Sequence, residues 1–232
     1  MDRFILTALS TLSFVGLYSV ASKIPQILST VAGFFFQAWN ISVFRDFGSE
    51  GSARFFKRGF YLISLGTFLV AGVLIVINIP LASLLFSGDF FEAWKLVPLL
   101  LTATAVSILN QFLGSVFTAS KETKTIFTTT ALGSVANMVL NVLLILAFGG
   151  IGAVVATLVS YLVVYVARAI RIWKRYDFLT FNHIGPFVQI ACLVGLSVLS
   201  MSGLGVFDLG IAYLGMAVLA LISLVTAERM GR

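Results

Sequence analysis

The chain has 232 residues, 59% of them hydrophobic and only 10% charged, with a mean hydropathy of +1.07. A soluble domain carries roughly 25% charged residues, so this chain cannot coat a wetted surface, and a soluble globular fold is excluded. The formal charge of +6 does not point to a nucleic-acid binder either. The Lys and Arg lie in short clusters between apolar runs, with no basic helix face and no interleaving of basic and aromatic residues.

A hydrocarbon core about 30 Å thick needs roughly 20 apolar helical residues to cross it. The apolar runs here are long and continuous rather than alternating, which excludes barrel strands. The first, 4–44, is too long for one simple span and is interrupted by Lys23 and Pro25. It reads either as two short spans or as the tail of one span followed by a long kinked helix over about 14–44. The second reading is preferred, because Gly16 and the polar Ser10, Thr11 and Ser13 mark a break before it. Further spans follow over 59–79, 96–118, 125–148, 151–167, 184–202 and 209–227. Pro98 and Pro186 stand near helix starts, where a missing N–H costs nothing, and Pro80 follows a helix end. The expected fold is therefore an all-α integral membrane bundle of about seven transmembrane helices.

Loop charge orients the bundle. Basic loops hold Arg45, Arg54, Lys57 and Arg58, then Lys121 and Lys124, then Arg168, Arg171, Lys174 and Arg175, and finally Arg229 and Arg232. Between them lie a loop with Lys95 beside Asp89 and Glu92, an uncharged turn at Gly149-Gly150, and a loop with Asp208 alone. Twelve basic residues thus fall on one side and one on the other. By the positive-inside rule the rich side, including the C-terminus, is cytoplasmic.

Polar residues within spans are costly and often functional. Lys23 offers a cation to an anionic substrate or, on the competing reading, snorkels to the outer interface. Asp2 and Arg3 either pair within a partial span or stand solvated at the chain start. Asn110 and Gln111 lie mid-span, as do Asn137 and Asn141, which share a face at i, i+4. Each suits substrate contact, or an interhelical hydrogen bond of roughly 0.6–2 kcal/mol. Gln37 and Asn40 lie near the inner end of the first long helix. Trp39 and Trp94 lie near span ends, where an aromatic belt of anchors is expected. Two small-residue rows, Gly149, Ala153, Thr157 and Gly152, Ala156, Ser160, predict close helix packing.

Nothing suggests an enzyme, and no catalytic residue, metal site or cofactor is expected. His183 is the sole histidine and lies in a basic loop, so a Ser–His–Asp arrangement would depend on it alone. There is no Gly-rich phosphate loop. Cys192, the one cysteine, excludes a disulfide framework and reads as a small residue inside a helix.

The run Gly16-Leu-Tyr-Ser-Val-Ala-Ser-Lys23-Ile-Pro25, continued by Phe36-Gln-Ala-Trp-Asn-Ile-Ser42, resembles the opening helix of the C-terminal lobe of Wzx-like polysaccharide flippases of the MOP superfamily. So do Phe91-Glu-Ala-Trp-Lys-Leu-Val-Pro98, Phe117-Thr-Ala-Ser-Lys-Glu-Thr-Lys124 and Asn137-Met-Val-Leu-Asn141. The segment 148–161 carries the resemblance furthest, and Asp2-Arg3 is similar to a pair near the end of the seventh helix. The resemblance covers residues 2 to about 175. It implies one lobe of a two-lobe, MATE-like flippase, with 1–175 spanning part of helix 7 to helix 12 and 176–232 forming two additional helices. The N-terminal lobe is missing on this reading, so the chain is expected to be a fragment or a half-protein. The implied function is flipping of a polyprenyl-diphosphate-linked oligosaccharide to the outer leaflet of the bacterial inner membrane, for O-antigen or lipopolysaccharide synthesis. Lys23 and Arg3 are the cations that would hold the diphosphate. The implied partners are the lipid-linked oligosaccharide, membrane lipids, and an N-terminal lobe or polysaccharide polymerase machinery. Two other functions compete. A cation-coupled multidrug antiporter lobe would want a membrane-embedded Asp or Glu, which no clear span contains. A non-transporting structural subunit of a polysaccharide-assembly complex is the other.

Overall fold

The computed structural model describes residues 12–48, 51–176, 179, 181 and 183–230, with side chains described from 13 to 223 apart from Asp46. All regular structure among them is helical: α1 (Leu12–Ala21), α2 (Lys23–Asp46), α3 (Ser52–Val76), α4 (Asn78–Leu85), a 3₁₀ segment (Gly88–Lys95), α5 (Val97–Ala119), α6 (Thr123–Phe148), α7 (Gly150–Arg175), α8 (Ile184–Met201) and α9 (Val206–Met230). Seven of the described helical stretches are long and apolar enough to cross a membrane. The first, Ser13–Arg45, joins α1 and α2 into one kinked rod, as expected.

Two helix breaks share one cause. Pro25 stands four residues after Ala21, the last residue of α1, and Pro80 four after Val76, the last of α3. A proline has no N–H for the carbonyl four residues back, and its ring crowds that carbonyl. The chain therefore turns at Ser22 and at Ile77 and then resumes its ladder, with Gln26 N bonding Ser22 O (3.2 Å) and Leu81 N bonding Ile77 O (2.9 Å). Pro80 follows the end of the span Ser52–Val76, as the sequence suggested, and sits in the first turn of the short α4. Asn78 then ties α4 to the 3₁₀ segment by donating to Trp94 O (2.9 Å).

Helix α5 is the centre of the bundle. Its apolar window is 83% buried, against 17% for α6. Phe112, Leu113, Val116 and Phe117 are fully enclosed among α2, α3, α7 and α8. In lipid such burial gains no hydrophobic term, so close packing and polar pairs hold the helices together. The packing is closest between α6 and α7. Gly149, at φ +60° and ψ −142°, reverses the chain in a conformation that favours glycine. A Cβ on Gly152 would lie 2.0 Å from Leu144 O, so the two backbones touch there. Helix α8 docks through the buried Ser64 Oγ to Gln189 Oε1 hydrogen bond and the Thr102–Ser197 hydroxyl pair (3.1 Å). Helix α9 is fixed by Tyr213, whose hydroxyl donates to Leu69 O (2.9 Å) over Gly72.

Trp39 corrects the aromatic-belt expectation. It is buried, donates from Nε1 to Ser115 Oγ (2.9 Å), and stacks on Phe55 at 4.7 Å with its ring edge over Gly59. It is a core residue between α2, α3 and α5 rather than a surface anchor.

Candidate functional site

Helix α7 runs on to Arg175, well past the span expected at 151–167, and this extension changes the meaning of Arg168. Assigned by sequence to a basic loop, it instead lies inside the bundle at 7% exposure. Its guanidinium donates from Nη1 to Asn110 O (2.5 Å), from Nε to Thr129 Oγ1 (3.2 Å) and from Nη2 to Thr130 Oγ1 (3.1 Å). Gly114 makes room for it, since a Cβ there would lie 2.9 Å from Nη1. All three acceptors are neutral, and among the described residues no carboxylate pairs with Arg168. The lobe therefore holds a buried positive charge fixed by α5 and α6 and, among the described residues, uncompensated by a carboxylate.

This charge lines a cavity of about 550 Å³ between α5, α6 and α7. Three of the residues singled out by sequence meet there. Asn110 is buried, donates to Tyr161 O (2.8 Å) and leaves Oδ1 without a hydrogen-bond partner. Gln111 is exposed at the rim, and Asn137 is half-buried and donates to Ser160 Oγ (3.3 Å). Asn141, fully buried, stands behind them and donates to Asn137 O (2.9 Å) and Oδ1 (3.0 Å), orienting that amide. A second polar cavity of about 250 Å³, lined by Tyr18, Ser22, Gln26 and Thr104 among others, shares Thr157 and Tyr161 with the first. Together they trace a polar path from the level of Arg168 to the α1–α2 break.

Lys23 opens α2 at that break. It is exposed and lines neither cavity, though its neighbours Ser22 and Pro25 line the second. Arg3 lies outside the described residues.

The three internal basic loops meet at one end of the bundle. Arg175 pairs with Glu122, Tyr176 OH lies 2.6 Å from Ser120 Oγ and 2.8 Å from Glu122 Oε1, and the Tyr176 ring meets Phe47. Burial raises the Tyr176 phenol above its ordinary pKa. Arg171 Nη1 donates to Thr128 Oγ1 (2.7 Å), so Arg168, Arg171 and Arg175 form a stripe along α7 facing the start of α6. His183 stands at the N-cap position of α8, where it makes no side-chain cap, and is half-buried. It packs against Phe60 and Phe181, its Nδ1 lies 2.8 Å from Tyr165 OH, and burial lowers its pKa to about 4.

Arg168 was within reach of sequence reasoning. Positions 168, 171 and 175 keep the i, i+3, i+7 spacing of one helix face, so the basic cluster continues the helix instead of ending it. The Asn110 carbonyl that receives it has no sequence signature.

A bundle of seven membrane-length helices, crossed in part by a polar path with a buried cation, has the build of a multi-pass transporter lobe. A sequence model described as lipid II flippase MurJ matches residues 99–225, 127 of the 232, and the chain belongs to that family. The family lies within the MOP superfamily, and its members are flippases, transporters rather than enzymes. The resemblance to MOP-type flippases therefore stands, while the family matched is that of lipid II flippases and not the Wzx-like O-antigen transporters. No curated protein and no solved structure matches the chain.

Proposed function

We propose that this lobe serves in moving a polyprenyl-diphosphate-linked saccharide from the cytoplasmic to the outer leaflet of a bacterial inner membrane. Arg168 is the observation that carries the reading. A guanidinium held by neutral acceptors beside a polar cavity is suited to an incoming diphosphate, because Arg matches phosphate geometry with paired N–H donors. Gln111 and Asn137 would contact the headgroup, Asn110 would accept through its unpartnered oxygen, and Asn141 would hold Asn137 in place. Lys23 lies about 35 Å along α2 from Asp46, whereas Arg168 lies only about 10 Å along α7 from Arg175. The two cations thus stand at different depths. Arg168 would meet the diphosphate near the basic end, and Lys23, with Arg3, would meet it further across.

The family description favours lipid II as the substrate. An O-antigen or capsule repeat unit shares the same polyprenyl diphosphate and differs in its sugars, so it is the second reading. A separate N-terminal lobe would complete the central cavity on either reading. With the basic end cytoplasmic, the C-terminus is cytoplasmic too.

Native mass spectrometry of the purified chain against lipid II, an O-antigen-linked undecaprenyl diphosphate and a zwitterionic phospholipid tests the reading. Both diphosphates should bind more tightly than the phospholipid, and Gln111→Leu and Lys23→Ala should weaken them. Indifference to the diphosphate sinks the proposal, and preference between the two saccharides decides the substrate. Impermeant thiol labelling of Arg54→Cys in intact cells tests the orientation; ready labelling from outside reverses it. Arg54 is exposed in the first turn of α3.

A further inference from the structure

At the basic end of the bundle, away from the Arg168 cavity, α2 and α3 enclose an apolar pocket of about 420 Å³ lined by Phe35, Trp39, Phe55, Gly59 and Leu62, with Arg54 and Arg58 at its rim. The volume lies within the roughly 300–1,000 Å³ of small-molecule sites. Its floor is rigid. Trp39 is tied to Ser115, and its ring lies between Phe35 (5.6 Å) and Phe55 (4.7 Å). Gly59 keeps the wall open, because a Cβ there would lie 2.2 Å from the Trp39 ring.

The charges are placed differently from those of the transport path. Arg54 and Arg58 are four residues apart, so they are neighbours on one helix face. Both are exposed, and neither pairs with a carboxylate among the described residues. They stand in the first two turns of α3, within about 10 Å of its end, while Leu62 lies about 12 Å deeper than Arg54. A pocket that is cationic at headgroup depth and aromatic or aliphatic below it matches an amphiphile with an anionic head. The stretch 45–58 carries Arg45, Arg54, Lys57 and Arg58 against Asp46 and Glu50, a surplus of two positive charges. Basic pockets between helices on the cytoplasmic side are suited to anionic lipid heads.

We infer that this pocket is a binding site for an anionic phospholipid of the surrounding leaflet, with the phosphate between Arg54 and Arg58 and an acyl chain along Phe35, Trp39 and Leu62. The lipid wedges between α2 and α3 on the outside of the lobe, so it is a bound neighbour rather than transported cargo.

Trp39 supplies the test. In a Trp94→Phe/Trp173→Phe background it is the one remaining tryptophan, and dibrominated phospholipid in the pocket quenches it. The purified chain in detergent is titrated with dibrominated phosphatidylglycerol and dibrominated phosphatidylcholine. The anionic lipid should bind about thirtyfold more tightly, from about 1 kcal/mol per basic residue at about 1.4 kcal/mol per tenfold. Arg54→Gln/Arg58→Gln should abolish that preference, whereas Lys57→Gln, outside the pocket on the same helix, should retain it. Equal quenching by the two lipids, a preference that survives in the double variant, or an equal loss in Lys57→Gln each overturns the site. Displacement of brominated phosphatidylglycerol by undecaprenyl diphosphate at equal or lower concentration overturns it as well, by assigning the pocket to the transported lipid. Glycerol 3-phosphate should not compete, because the acyl contacts are missing; competition by it overturns the role given to the apolar wall.

Discussion

The contact between α6 and α7 yields a prediction whose size follows from the coordinates. Gly133 and Gly152 both lie in it, and both would clash on gaining a methyl group, but against different things. At Gly152 the new Cβ would sit 2.0 Å from Leu144 O and 2.9 Å from Ile145 N, all backbone. Restoring an ordinary contact near 3.4 Å requires the helices to part by about 1.4 Å. A gap of 0.5–1 Å forfeits about a quarter to a half of each dispersion contact, and Ala153, Ala156 and Ser160 would all lose theirs. Gly152→Ala should therefore reach the upper end of overpacking costs, about 3 kcal/mol. At Gly133 the obstacle is Val164 Cγ2 at 2.2 Å, the end of a side chain. Moving it off its rotamer costs about 1 kcal/mol, which the roughly 1 kcal/mol helix preference of Ala over Gly offsets. Gly133→Ala should be close to neutral, and Gly133→Ala/Val164→Ala, with the obstacle removed and the helix preference kept, should be about 1 kcal/mol more stable than Val164→Ala alone. Thermal unfolding in detergent reads the difference. At about 2–4 °C per kcal/mol for a chain of this size, Gly152→Ala should melt about 6–12 °C below the parent. Equal melting temperatures for the two glycine variants would refute the backbone contact.

Other perturbations separate the observed arrangement from simpler ones. Trp39→Phe should cost about 1 kcal/mol for the lost Ser115 hydrogen bond and Trp39→Ala about 3–5 kcal/mol; an interfacial anchor would tolerate both in the same melt. Arg168→Met should cost about 2 kcal/mol, from three polar contacts at about 0.6 kcal/mol each in a membrane bundle, and Arg168→Lys should recover only part of it; unchanged melting in both would remove Arg168 from the α5–α6–α7 junction. His183 has a folded pKa lowered to about 4, against about 6.5 unfolded. The unfolded chain therefore binds the extra proton between those values, and melting temperature should fall as pH drops from 6.5 to 4. His183→Gln should flatten that slope; an identical slope in parent and variant would show that the imidazole is not buried.

What the sequence made legible was whatever depends on distance along the chain. Seven membrane-length stretches, the kink at Lys23-Pro25 and the gathering of basic loops at one end follow from run length, proline and charge. The family's character was legible too, as far as the MOP-type flippases; the match to lipid II flippases over 99–225 supports that much and leaves the Wzx-like branch without support of its own. What escaped was direction across the bundle. Hydropathy places Trp39 near a span end but does not say which way its ring faces, and it faces Ser115, 76 residues away. Counting charges at span ends assumes that a basic residue marks the end, and for Lys174 and Arg175, in the last turn of α7, the assumption holds. For Arg168 it fails, because the partners that keep it inside are a backbone carbonyl on α5 and two hydroxyls on α6. The same shift accounts for the candidate site. Asn110, Gln111 and Asn137 were singled out as polar residues in spans, and folding brings them to one cavity. The charge that gives that cavity its chemistry came from a residue that sequence reasoning had placed in a loop outside the spans.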